Sequence, residues 1–147
     1  MNANTLHGDF VLLRAGKLRL LLPQQEVGAA EYLEARPQSL PDEPLLLAGD
    51  ASGRLFAALS DDMVLLRDCP PQRFVVTTLG DDDLHIGWCW DEMKVLIGVA
   101  LEPRELPAVL VTPGTPVDAY VLHEGQIAYL SSAARVTAFA LGEGVPA

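Results

Sequence analysis

Apolar residues recur along this chain in short runs that are separated by glycine, proline or aspartate, a pattern typical of β-hairpins. Residues 10–14 and 17–22 are two such runs, and Gly16 lies in the predicted turn between them. Alternation in the second run places Leu18, Leu20 and Leu22 on one face and the basic Lys17 and Arg19 on the other. Pro23 ends this strand, and residues 24–27 are predicted to form one helical turn, because proline is favoured at a helix start.

Three further pairs of apolar runs predict three further hairpins. The runs are rich in β-branched, aromatic and leucine residues, and glycine or aspartate occupies the turn between the members of each pair. The predicted strand pairs are residues 45–49 with 54–59, 73–79 with 84–90, and 119–122 with 126–130.

Three positions carry the chemistry of a helix start. Residues 60–62 are Ser-Asp-Asp and predict a helical turn that continues to residue 66. Asp91 predicts a bend or short helix through Lys94. Ser131 and Ser132 predict the N-terminal cap of a closing helix over residues 133–141, with Val136, Phe139 and Ala140 as its buried stripe.

The order of these elements indicates a mainly β domain made of two similar small units. Each half of the chain contains hairpins and a proline-rich connection, at residues 35–44 and 102–116. A unit of that size is too small to be stable alone, so we expect the two units to share one core. The length of 147 residues fits one domain of this kind.

Charge narrows the possible partners. The chain has 20 acidic and 10 basic residues, which gives a formal net charge of −10. Nucleic-acid binding depends on neutralisation of phosphates by Lys and Arg, so this charge disfavours DNA and RNA as partners. It disfavours anionic membrane surfaces for the same reason.

The sequence predicts a cytoplasmic protein without membrane insertion. Its first residues show no basic segment followed by an apolar stretch, so no signal peptide is expected. Residues 95–101 form the longest uncharged apolar stretch, which is far too short to cross a bilayer. The two cysteines, Cys69 and Cys89, do not make a disulfide framework.

Candidate chemistry is sparse, and we expect no catalytic residue, metal or cofactor. His85 and Cys89 are four residues apart, which on a strand corresponds to roughly 13 Å, too far to hold one zinc ion. The aspartates at 81–83 lack the spacing of a calcium loop and are interpreted as a solvated hairpin tip. No phosphate loop or nucleophile elbow occurs.

Trp88 and Trp90 lie on one face of a predicted strand. They could form a binding platform, because tryptophan is enriched at interface hot spots. We expect them instead to fill the core, where a protein with few aromatic residues needs side-chain volume.

Four sequence patterns occur along the chain, and their order is more informative than any one of them. A strand ends in Leu22-Pro23 and is followed by the hydrophobic Val27. Residues 52–61, Ser-Gly-Arg-Leu-Phe-Ala-Ala-Leu-Ser-Asp, combine a glycine turn, an apolar strand and an aspartate. Residues 87–93, Gly-Trp-Cys-Trp-Asp-Glu-Met, form a strand that ends at an aspartate, and residues 122–141 form a glycine hairpin and a helix.

In this order and spacing the patterns resemble the CheW-like domain of bacterial chemosensory systems, from about residue 9 to residue 141. The resemblance implies two intertwined five-stranded β-barrels around a hydrophobic core, with short tails at 1–8 and 142–147. It also implies a non-catalytic adaptor that links chemoreceptor tips to the regulatory domain of a CheA-type histidine kinase, without a cofactor. The partner-interface residues that it implies are Val27, Ala29, Ala30, Tyr32, Ser52 and Gly53.

The chain departs from the family pattern at two positions of this interface. Family members often carry an acidic residue where this chain has Ala29, and an arginine where it has Ser52, and the two can form a salt bridge. A pair removed on both sides costs less than a broken pair, because neither charge is left without a partner. A member of a system for surface or pilus-based motility would fit these departures.

Two alternatives to the receptor-coupling adaptor follow from the sequence. A divergent CheW-like protein without receptor coupling would bind another partner, such as a localisation factor, or compete for the kinase. A β-barrel that binds a small ligand or catalyses a reaction is the alternative from another class, and the tryptophan pair is its motivation.

Overall fold

A computed structural model of the chain describes residues 5–39, 46–47, 54–61, 63–80, 86–107 and 117–141. These residues are mainly β, with eleven strands, one 3-10 turn and one α-helix. In chain order the strands are β1 (Leu6–Ala15), β2 (Leu18–Pro23), β3 (Glu31–Tyr32), β4 (Gln38–Ser39), β5 (Leu46–Leu47), β6 (Leu55–Ala58), β7 (Val75–Thr77), β8 (Gly87–Trp90), β9 (Glu92–Leu101), β10 (Ala119–His123) and β11 (Gln126–Leu130). The helix α1 (Ala133–Leu141) follows β11.

The first sheet has five strands in the order β10-β11-β2-β1-β9 and is curled into a half-barrel. Its pairs are antiparallel except for β11 and β2, which run parallel. Just beyond the end of β9, Arg104 forms an antiparallel bridge with Tyr120 in β10. This bridge brings the two edges of the curled sheet together.

The second sheet has six strands in the order β3-β7-β8-β6-β5-β4. Its pairs are antiparallel except for the parallel neighbours β6 and β8. Parallel neighbours cannot be joined by a tight turn, so this pairing places a long crossover, residues 59–86, between them.

All four predicted hairpin pairs are antiparallel neighbours in the structure, namely β1 with β2, β5 with β6, β7 with β8, and β10 with β11. The prediction of a mainly β fold is therefore confirmed. Gly16 adopts a φ of +63°, and Glu124 and Gly125 adopt φ values of +53° and +76°. These are left-handed conformations that tight hairpin turns require.

Two local predictions were wrong. Residues 60–66 do not form a helical turn in their described part, because Met63 has a φ of +64° and reverses the chain, and Leu59 then bridges Leu65. Asp91 itself forms the bend that was one of the two predicted alternatives, but the segment after it is not helical. It is the ten-residue strand β9, which pairs along the whole of β1.

The main core lies between the two sheets. One face of β1 and β2 packs against Trp88 and Trp90 of β8, and both indoles are 1% exposed. The expectation that the tryptophans fill the core is confirmed. The Trp90 Nε1 group also donates a hydrogen bond to Thr77 Oγ1 at 2.9 Å, so its polar atom is satisfied.

Two smaller clusters lie on the opposite faces of the sheets. Leu12 and Leu21 contribute the other face of β1 and β2 to a cluster with Leu101 and Val121 inside the curled sheet. The second sheet packs its outer face in a cluster of five buried residues, Phe56, Ala58, Cys69, Val76 and Cys89. The strands β1 and β2 are thus buried on both faces.

The closing helix has the predicted bounds. Ser132 Oγ accepts a hydrogen bond from the backbone N–H of Arg135, as an N-cap residue does. Val136 is buried and Ala140 packs against the core, whereas Phe139 is 37% exposed and does not belong to the buried stripe. Among the described residues, no helix has both the length and the hydropathy needed to cross a membrane.

Candidate functional site

The chain crosses from the first sheet to the second directly after β2. Pro23 is followed by the 3-10 turn Gln24–Glu26, as predicted, and Val27 then bridges Leu79. The backbone N–H of Gly28 donates to Thr78 O at 2.9 Å. A Cβ on Gly28 would lie 2.2 Å from Thr78 Oγ1, so a side chain at this position would force the Thr78 side chain to shift.

This crossing segment forms one side of a groove of about 780 Å³. Met93 and Val95 of β9 line the groove together with Val27, Ala29 and Ala30 of the crossing segment. Val95 is 46% exposed, so an apolar side chain is accessible at the groove. Polar groups at the groove come from Asp9, Gln24 and Gln25.

The edge of the groove is held by a backbone irregularity. The register between β1 and β9 shifts between Gly8 and Phe10. Asp9 Oδ1 accepts a hydrogen bond from the backbone N–H of Gly98 at 2.8 Å, and Gly98 has a φ of +60°. The bulge thereby places the Asp9 carboxylate at the groove, where it is an exposed acidic group.

The structure brings three of the predicted interface residues together and separates a fourth. Val27, Ala29 and Ala30 line the same groove. Tyr32 does not line it. It lies in the edge strand β3, is 70% exposed, and has its ring centroid 6.5 Å from that of Phe74.

The remaining two predicted interface residues, Ser52 and Gly53, lie outside the described residues. Sequence reasoning missed Met93 and Val95, because the segment after Asp91 was predicted to be a bend or helix. The alternation of Met93 and Val95 with the charged residues Glu92 and Lys94 was a signal for a strand with one apolar face.

A charge pair joins β3 to the residue that directly precedes β6. Arg54 donates two hydrogen bonds to the Glu31 carboxylate, from Nη1 to Oε1 at 3.1 Å and from Nη2 to Oε2 at 2.8 Å. The hydrogen bonds from Arg54 lower the pKa of Glu31. Each residue lies two positions beyond Ala29 and Ser52, the positions at which the family resemblance implied a pair. The same two segments are therefore linked by charge, but from displaced positions.

A second charge pair is buried between the two sheets. Arg73 and Asp91 have side chains that are each 4% exposed, with Nε and Oδ2 3.2 Å apart. Asp91 Oδ2 also accepts from the backbone N–H of Gly16, and Arg73 Nη1 donates to Leu59 O. The aspartate that the family pattern placed after β8 thus anchors the turn of the first hairpin.

The described residues contain no group of three His, Cys, Asp or Glu side chains that could hold a metal ion. His85 and the aspartates at 81–83 lie outside the described residues. Cys89 contacts Cys69 within the outer cluster of the second sheet.

Comparison with known proteins does not assign a family. A scan against protein-family models matches no model, and a search of curated proteins finds no matching protein. The function of this chain is therefore inferred from its residues and from the geometry of the groove.

Proposed function

We propose that this protein is a non-catalytic adaptor of a bacterial chemosensory system, with a CheW-like fold and role. It couples a CheA-type histidine kinase to a receptor or another input, in the cytoplasm, without a cofactor. We further propose that the two sheets belong to the two intertwined β-barrels of a CheW-like domain. The observation that carries the proposal is the groove, because Val27, Ala29 and Ala30 line it together.

The chemistry of the groove supports a protein ligand. Its apolar lining and polar edge suit an amphipathic helix, which buries its apolar stripe in such a groove and leaves its polar face in water. The partially exposed Val95 and the small Ala29 and Ala30 leave room for larger side chains of a partner. We therefore assign the groove to the cytoplasmic tip of a receptor.

An adaptor needs a second surface for its second partner. Tyr32 and Phe74 form an exposed aromatic pair on the second sheet, and neither residue lines the groove. Exposed aromatic side chains at a sheet edge are favourable docking positions for another protein. We assign this pair, at the β3 edge, to the regulatory domain of the kinase.

The proposal is tested by charge insertion into the groove. Ala30→Glu and Val95→Glu place a carboxylate among apolar groups and should each weaken binding of a receptor cytoplasmic fragment at least tenfold, or about 1.4 kcal/mol. Ile127→Glu is the matched control, because Ile127 is an exposed strand residue that does not line the groove. Binding is measured by calorimetry on variants whose circular dichroism matches the parent protein.

Two outcomes would contradict the assignment of the groove. One is unchanged receptor binding in both groove variants. The other is an equal loss in the Ile127→Glu control, since that result would reflect a general effect of added negative charge on a protein that already carries −10.

A further inference from the structure

The two cysteines of this chain meet although 20 positions separate them in sequence. Cys89 lies in β8, where it pairs with Ala58 of β6 and Val76 of β7. Cys69 belongs to the same cluster on the outer face of that sheet. The two thiols interact with each other, and each residue is 1% exposed.

Cys69 is held in place by its surroundings. Its thiol donates to Arg73 O at 3.6 Å, and its own carbonyl oxygen accepts a hydrogen bond from Arg36 Nε. Leu66, three residues earlier, donates its backbone N–H to Ala58 O at 2.7 Å and ties this segment to β6. The segment that carries Cys69 is therefore fixed over the strand that carries Cys89.

A cleft reaches Cys69 from the surface. It has a volume of about 200 Å³, and its lining includes Cys69 together with Arg36 and Arg73. Pockets for drug-sized ligands occupy roughly 300–1,000 Å³, so this cleft suits a much smaller molecule. Cys89 does not line the cleft, so a reagent that enters meets Cys69 first.

The electrostatic setting also distinguishes the two thiols. The hydrogen bond from Cys89 lowers the pKa of Cys69, and the nearby guanidinium groups of Arg73 and Arg36 act in the same direction. Burial and the Asp91 carboxylate oppose this effect. The pKa of Cys89 is raised, by its hydrogen bond to Cys69 and by burial. The thiolate is the reactive form of cysteine, so Cys69 is the better nucleophile.

We propose that Cys69 and Cys89 are a peroxide-sensitive dithiol pair, in which hydrogen peroxide oxidises Cys69 and Cys89 then closes an intramolecular disulfide. In the first step the Cys69 thiolate attacks one peroxide oxygen. The O–O bond breaks, hydroxide leaves, and Cys69 becomes a sulfenic acid. In the second step the Cys89 sulfur attacks the Cys69 sulfur, the S–O bond breaks, and the hydroxyl group leaves as water with the Cys89 proton.

The overall reaction converts two thiols and one peroxide into one disulfide and two waters. The two electrons that reduce the peroxide come from the two sulfurs, so no further reductant is required. A dithiol that oxidises in this way is reset by an external thiol through disulfide exchange. The proposal is independent of the identity of the binding partners.

Treatment of the reduced protein with hydrogen peroxide tests the proposal. After quenching and alkylation under denaturing conditions, we expect the mass of the intact chain to be lower by two hydrogen atoms, with neither cysteine alkylated. Peptide mapping should join the segment that contains Cys69 to the segment that contains Cys89. A thiol reductant should restore both alkylation sites.

Single variants test the order of the two steps. In Cys89→Ser, Cys69 should accumulate a sulfenic acid that a cyclic diketone probe traps. In Cys69→Ser, Cys89 should remain a free thiol at the same peroxide dose, and Cys69→Ala gives a second, smaller replacement if the serine variant does not fold. The proposal is overturned if the parent chain forms only intermolecular disulfides or none, or if Cys89 oxidises as fast without Cys69.

Discussion

Two charge pairs of this protein differ in how much they stabilise the fold. The pair Arg73–Asp91 is buried, whereas the pair Glu31–Arg54 is partly exposed. A buried charge that loses its partner keeps its full desolvation penalty. An exposed pair interacts through water and contributes little. The sequence did not predict either pair, because Arg73 and Asp91 lie 18 positions apart and only tertiary packing brings them together.

Removal of one member of the buried pair should be strongly destabilising. We expect Asp91→Asn and Arg73→Met each to lower the free energy of unfolding by about 3–5 kcal/mol, because each leaves the other charge buried without its partner. Urea unfolding measures the effect. Glu92→Gln is the adjacent control, since Glu92 pairs with Arg14 at the surface, and its effect should stay below about 1 kcal/mol. Equal effects at positions 91 and 92 would contradict this prediction.

The exposed pair Glu31–Arg54 should make the free energy of unfolding depend on pH. The pKa of Glu31 is lowered from its ordinary value of 4.5, so the pair stabilises the folded protein above that pH. This stability is lost as the pH falls through the lowered pKa of the folded state, where Glu31 becomes protonated. Glu31→Gln should therefore lower the free energy of unfolding by about 0.5 kcal/mol at neutral pH. It should leave the free energy of unfolding unchanged at a pH below the lowered pKa. A difference that grows on acidification would have the wrong sign.

At the scale of elements, the local sequence pattern predicted those elements that depend on signals within a few residues. The four hairpins and α1 were predicted, because alternation, turn glycines and a serine cap act over a few residues. The strand β9 was missed, since Asp91 resembles a helix cap and Leu96 interrupts the alternation. The parallel pairings of β6 with β8 and of β11 with β2 join distant segments and leave no local signal.

One contact connects the groove to the closing helix and predicts a stability effect there. Glu26 Oε1 accepts a hydrogen bond from the backbone N–H of Ala133 at 2.7 Å, across 107 positions of sequence. Glu26→Ala removes this acceptor from the first turn of α1 and should cost about 1 kcal/mol. Glu26→Gln keeps an oxygen acceptor and should cost less. Thermal unfolding of both variants measures the difference, and an equal loss in both would mean that the acceptor is not what stabilises the helix start.

At the scale of the molecule, one core joins the two sheets. Residues of β1, β2, β6, β7, β8 and α1 share the main cluster, and the Arg73–Asp91 pair lies between the same sheets. Sequence analysis predicted part of the groove, through Val27, Ala29 and Ala30, but not its opposite side on β9. That side depends on the pairing of β9 with β1, across about 80 positions of sequence.

The shared core predicts cooperative unfolding. Both tryptophans of the chain, Trp88 and Trp90, lie in the main cluster, so tryptophan fluorescence reports on the junction of the sheets. Far-ultraviolet circular dichroism reports on the strands of both sheets. We expect the two urea transitions to coincide, as in a two-state domain. Separate midpoints would show that the two sheets unfold independently.

The most direct measurement for the adaptor proposal is a calorimetric titration of this protein with the regulatory domain of a CheA-type kinase from the same organism, with and without a receptor cytoplasmic fragment. The proposal predicts saturable binding to the kinase domain, and a complex that also binds the receptor fragment. Absence of binding to both partners at about 1 mM, where contacts worth about 4 kcal/mol are still detectable, would contradict it.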